Sequence, residues 1–93
     1  MLVLVAKITV KSGFEQEFER TMRAAVPKVR AEAGNHAYIF HRSADNPRMF
    51  MFYEQYTDQA ALEAHRAHLK EMGIDLASFL EGGIVREFYD LLA

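Results

Sequence analysis

The stretch Arg48–Tyr56, RMFMFYEQY, constrains the fold more than any other part of the chain. Met49, Phe50, Met51, Phe52 and Tyr53 follow one another with no polar residue between them. Such aromatic-rich runs favour an extended strand, whose successive side chains point to opposite faces of a sheet. An antiparallel strand with one wet face alternates apolar with polar residues, and this one does not. Both faces of its sheet therefore need a cover. Residues 1–10, MLVLVAKITV, repeat the demand. Leu2, Leu4, Ala6, Ile8 and Val10 share one face, and Met1, Val3 and Val5 share the other until Lys7 and Thr9 take over.

Two helices supply one cover. Ser12-Gly13-Phe14-Glu15 has the form of a capping box, followed by Phe14, Phe18, Met22 (or Thr21), Ala25 and Val29 at helical steps. Pro27 predicts a kink or a weakened last turn, and Gly34-Asn35 a stop. Residues 36–42 read as a second strand, with Tyr38 and Phe40 opposed to Ala37 and Ile39. Ser43 to Pro47 is turn chemistry. Thr57 or Asp58 caps a second helix whose stripe is Ala61, Leu62, His65 and Leu69. Gly73 interrupts it, Asp75 to Leu80 reads as a short further helix, Gly82-Gly83 as a turn, and Ile84 to Leu92 as the last strand. The order is β-α-β-β-α-β, an α+β fold in a single domain spanning residues 1–93.

The second sheet face has no cover in a chain of 93 residues without cysteine. A domain of this size has a marginal core, and association is its remaining source of stability. A second copy is the simplest cover, so a twofold homodimer is expected. An Asp at Phe50 or Phe52 should part such a dimer or unfold it. The net charge is −2 and the basic residues are dispersed, which argues against nucleic acid as a partner. The N-terminal run reads as a strand and not as a signal peptide or a membrane span, which fits a cytoplasmic protein that does not engage membranes.

Several of these residues, in order, carry a family resemblance. They are Gly34-Asn35-His36-Ala37-Tyr38, Arg42-Ser43-Ala44-Asp45-Asn46-Pro47, Phe50, Tyr53-Glu54-Gln55-Tyr56, Asp58, Ala61-Leu62 and Ala64-His65. Over essentially its whole length the chain resembles the antibiotic biosynthesis monooxygenases, small dimeric α+β barrels that include quinol and anthrone oxygenases. The resemblance implies a ferredoxin-like monomer, an antiparallel sheet that meets its copy in the dimer, and a pocket between sheet and helices. It also implies oxygenation without flavin, haem or metal, in which a deprotonated, electron-rich substrate reacts with dioxygen itself. Such chemistry needs a base, a polarising donor and a dry pocket. The anthrone-oxidising members carry Trp where this chain has Tyr56, and Asn and Tyr where it has Phe52 and Leu62. The haem-degrading relatives pair a first-strand Asn and a strand-end Trp with a helix His. Here those places hold Ala6 or Lys7, Tyr56 and His65, so haem degradation is not expected.

His65 lies on the apolar stripe of the second helix, and an imidazole titrating near neutrality suits proton abstraction from a phenol or quinol. The expected catalytic set is His65 as base or relay, Glu54 orienting it, and Tyr56 as a donor. Tyr53, Tyr38, His68 and Phe52 are the expected substrate-binding residues. Each has a plainer role available: His65 as a core histidine bonded to Glu54, and the tyrosines as packing groups. His65 and His68 alone make too small a ligand set for a metal. His36 and His41 fall on opposite faces of one strand and cannot share a site through it. Met49, Met51 and Met72 suit an adaptable lining or ordinary core. Two functions follow: a cofactor-independent monooxygenase acting on a small aromatic quinol or phenol, or a non-catalytic ligand-binding or stress-associated dimer. Isomerase or lactonase chemistry on a small acid is a third class with the same needs.

Overall fold

The strand that reads as most central, β1 (Leu2–Thr9), lies between β3 (Met49–Tyr56) and β4 (Val85–Asp90), with β2 (Asn35–Arg42) outside β3. The computed structural model describes residues 1–93, and its four strands form one antiparallel sheet in the order β2-β3-β1-β4. Helices α1 (Glu15–Arg30) and α2 (Gln59–Glu71) cover one face, which is the ferredoxin-like arrangement. Cross-strand register confirms the expected face assignment. Leu4, Glu54 and Tyr38 stand on one rung, and Ala6, Phe52 and Phe40 on the next. Every one of these points toward the helices.

Under α1 the core is aromatic. The Phe18 ring meets Phe50, Phe79, Phe40 and Phe52 at centroid distances of 5.0, 5.3, 5.9 and 6.4 Å, and Phe40 stacks on Phe50 and Phe52. Met22, Ala25, Val26 and Val29 continue the stripe. Phe50 and Phe52 are 1% and 2% exposed on the helix side, so an Asp there breaks the core and says nothing about association. The opposite face carries Val5, Ile39, Met51 and Tyr53, with Ile39 43% exposed. It is the uncovered apolar face that the sequence implies.

Several element ends differ from expectation. Ser12 does not cap α1: the helix starts at Glu15 with Phe14 at the cap position and no side-chain cap bond. The capping box does not form, and the Glu15 carboxylate instead accepts from the Gly13 N–H at 2.8 Å. Pro27 is accommodated in the last turn, and α1 ends at Arg30, four residues before Gly34. The capping of α2 is by Asp58, whose carboxylate accepts from the Ala61 N–H at 2.9 Å. The expected helix at Asp75–Leu80 is a single 3-10 turn, Leu76–Ser78. The segment after it is tied to the end of β1, where the Lys11 N–H donates to the Phe79 carbonyl and the Glu81 N–H to the Thr9 carbonyl. Phe79 is thereby pinned into the core.

Gly34 follows from a close approach. A Cβ placed there would overlap the side chain of Ala61, so the turn after α1 lies directly against the first turn of α2. Gly34→Ala should push the two apart. Overpacking of this kind costs about 1–3 kcal/mol, readable as a lowered chemical-denaturation midpoint with an unchanged slope. A wild-type midpoint for Gly34→Ala would show that the turn is free to move.

Candidate functional site

Helix α2 places His65 inward because Leu62 and Leu69, three residues before and four after, share its buried stripe. The imidazole sits between the rings of Tyr38 and Tyr56, each with its centroid 5.3 Å away. Its hydrogen-bond partner is a residue the sequence reading passed over. Glu32, in the turn between α1 and β2, accepts from His65 Nδ1 at 3.1 Å. Glu54, the expected orienting carboxylate, lies 3.9 Å from His65 Nε2, too far for a hydrogen bond. Glu54 instead accepts from the Tyr56 hydroxyl at 2.5 Å.

This arrangement assigns the tautomer. A carboxylate only accepts, so Nδ1 of His65 carries the proton and the neutral ring presents a bare Nε2 toward Glu54. Burial pushes the His65 pKa below the ordinary histidine value, and the Glu32 carboxylate partly offsets that shift. The ring is neutral at neutral pH and able to accept a proton. Burial also raises the Glu54 pKa, to about 7, against the opposing bond from Tyr56 and the charges of Arg66 and Arg86. Tyr38 and Tyr56 are both held un-ionised by burial and by Glu54.

Nε2 of His65 and Glu54 face a small cavity of about 60 Å³ between the sheet and α2. Its walls include Leu4, Phe52, Leu62, Leu69, Leu76 and Ile84, and its polar groups are Tyr38, Glu54, His65, Arg66 and Arg86. The Tyr38 hydroxyl has no partner within the chain and is not a sealed-off polar atom, so it is free to donate to a ligand in this space. A larger, open groove of about 770 Å³ runs beside β2 past Arg23, Arg30 and Arg42. It lies away from His65, and its one carboxylate, Glu19, is neutralised by Arg23 and Arg42.

The expected site residues thus divide. His65, Glu54, Tyr38 and Phe52 come together at the cavity. Tyr56 is adjacent, but its hydroxyl is committed to Glu54 and is not free to donate to a ligand. Tyr53 is on the other face of the sheet, where its hydroxyl accepts from Gln55, and it cannot reach the cavity. His68 is on the outer side of Glu32, with Nδ1 2.7 Å from Oε2, and does not line the cavity. No group of three or more His, Asp or Glu has a metal-holding arrangement, and no helix is long and apolar enough to cross a membrane. His36 and His41 bond separately, to Thr57 and to the Met51 carbonyl.

A four-stranded sheet with two helices on one face, and a carboxylate-held histidine between them, places the chain among the small ferredoxin-like α+β proteins. Comparison narrows the class. The family model described as antibiotic biosynthesis monooxygenase matches residues 1–70, and the chain belongs to that family. It is 34% identical over 65 residues to YcnE of Bacillus subtilis, a protein provisionally named a monooxygenase, covering 70% of this chain and 68% of YcnE. Among solved structures, PA3566 of Pseudomonas aeruginosa superposes with a TM-score of 0.87 at 33% identity, covering 99% of this chain and 94% of that one. A protein from Nitrosomonas europaea, provisionally titled an antibiotic biosynthesis monooxygenase, superposes over both whole chains with a TM-score of 0.89 at 25% identity.

The raised Glu54 pKa has a consequence for stability. The folded state holds this proton more tightly than the unfolded chain, so the stability it contributes at low pH is lost as pH rises from about 4.5 to about 7. Glu54→Gln, which still accepts from Tyr56, should therefore be more stable than wild type at pH 8, by about 3 kcal/mol from the size of the shift. The gain should vanish near pH 4.5. Denaturant titrations at the two pH values measure it, and an equal difference at both would show that Glu54 ionises freely.

Proposed function

We propose that the chain is a cofactor-independent monooxygenase acting on a small aromatic quinol or phenol. The observation that carries this reading is the bare Nε2 of His65, held by Glu32 and facing an apolar-walled cavity beside Glu54. In this role His65 takes the proton from a substrate hydroxyl or activated ring carbon, and the Tyr38 hydroxyl donates to the oxygen on which negative charge gathers. The electron-rich anion then reduces dioxygen directly. One oxygen atom is retained as a ring carbonyl, and the other leaves as water with one hydrogen from that ring carbon and one from the substrate hydroxyl. Neutral His65 is the competent form, so activity rises as pH increases through a value below that of an ordinary histidine.

A cavity of about 60 Å³ holds no aromatic ring, and ligand pockets usually span about 300–1,000 Å³. Substrate entry in this reading displaces the segment between α2 and β4, which contributes Leu76 and Ile84 to the wall and turns at Gly73 and Gly82, both at positive φ. The same small volume favours the second reading, a ligand-binding dimer without catalysis. Oxygen uptake across a panel of quinols and anthrones separates the two. General-base catalysis is worth ~10²–10⁴-fold, so His65→Ala and His65→Gln should each lose about that much turnover while remaining folded. Full turnover by His65→Gln would move the base elsewhere, and no uptake with any substrate by wild type would favour the binding protein.

The homodimer belongs to the same proposal. A second sheet is the natural cover for Val5, Ile39, Met51 and Tyr53, and a stable pairing buries more than about 1,000 Å² in total. Light scattering at micromolar concentration should give twice the chain mass for wild type. Ile39→Asp and Met51→Asp should shift it toward the monomer while the circular dichroism spectrum is kept. A monomeric wild type would contradict this.

A further inference from the structure

Glu32 serves two histidines, and the second has no part in the chemistry described so far. His65 and His68 stand one turn apart on α2, and both direct Nδ1 at the same carboxylate, at 3.1 Å to Oε1 and 2.7 Å to Oε2. Both rings must donate there, so in each neutral ring it is Nε2 that is bare. The two differ in environment. The His65 side chain is 5% exposed and turns Nε2 toward the cavity, whereas the His68 side chain is 33% exposed at the outer surface. Glu32, 13% exposed, lies between them. The line His65–Glu32–His68 thus runs from the cavity wall to solvent through hydrogen bonds alone.

One carboxylate offsets one positive charge. A proton on His65 is stabilised by Glu32 and opposed by a charge on His68, since like charges sharing a counter-ion repel. The other titratable or charged groups around His65 and its cavity are Glu54 and Tyr56 from β3, Tyr38 from β2, Arg66 from α2 and Arg86 from β4, and none of them bonds His68.

We propose that His68 gates the basicity of His65: both imidazoles lean on the one carboxylate of Glu32, so a proton on His68 at the surface opposes proton uptake at His65 Nε2 in the cavity. This rests on the reading of the cavity as a place of proton abstraction. Both rings donate Nδ1–H into the carboxylate, so no proton passes between them and the coupling is one of charge alone. His68 is in this sense a positioning and coupling residue that touches no substrate.

The test needs no substrate. In histidine-labelled wild-type protein, the Cε1–H resonance of His65 should titrate with a curve broadened by its charge coupling to the neighbouring ring. His68→Gln keeps a donor to Glu32 but cannot carry charge, so His65 should titrate at a higher pH and with a simple one-proton curve. Backbone amide spectra verify that the variant is folded. His65 titrating identically in wild type and His68→Gln would overturn the coupling, whether or not any quinol is oxidised. Where a quinol is turned over, the low-pH limb of the kcat profile should move to higher pH in His68→Gln, following His65. An unmoved limb would equally overturn the proposal, whereas an absence of activity in wild type would bear only on the oxygenase reading.

Discussion

The carboxylate of Glu32 joins parts of the chain that have no other reason to hold a common geometry. It comes from the turn after α1 and reaches α2, and through His65 it sets what faces the sheet. Its reach depends on Gly34, two residues later, which allows the turn to lie on Ala61 without a steric clash. With the turn seated there, Nδ1 of His65 is committed and Nε2 has one direction left to face. An acid-base site can be built this way from ordinary parts: a packed helix stripe, a small residue at a crossing, and one acceptor.

The sheet imposes the second constraint. Its helix side is filled by an aromatic core around Phe18 and by the His65 cavity, side by side on the same strands. Its far side is apolar and unpaired within the chain. Burying Glu54 among such neighbours opposes its charge, and the Tyr56 hydroxyl, Arg66 and Arg86 recover only part of that cost. The result is a carboxyl group poised near neutrality a few ångströms from a neutral imidazole. Burial lowers the pKa of His65 and raises that of Glu54, and groups shifted in this way by their surroundings cluster at proton-transfer sites.

Much of this was legible in the residues. Period-two alternation in MLVLVAKITV and the unbroken run from Met49 to Tyr53 gave the strands, their faces and the need for an outside cover, because face assignment depends only on parity. The same parity put Tyr53 opposite Glu54 and Tyr56, and its exclusion from the cavity follows from it. The stripe Leu62–His65–Leu69 correctly turned His65 inward. Helix ends were less legible, since Ser12 satisfies a capping pattern whose geometry the chain does not adopt. Glu32 was not legible at all. It lies in a polar stretch, AEAGN, that reads as a solvated turn, and its partner is 33 residues away. The only local trace is Gly34, whose need for space becomes apparent once α2 is set against it.

The central claim is that Glu32 fixes His65 with its proton on Nδ1 and a bare Nε2 toward Glu54. The ¹⁵N shifts of the His65 ring nitrogens at pH 8 measure this directly. The account predicts a protonated Nδ1 and an unprotonated Nε2 in wild type, and a reversal of the two in Glu32→Gln, where the side-chain amide can donate to Nδ1. A protonated Nε2 in the wild-type protein would contradict it, since such a ring has no lone pair to offer the cavity.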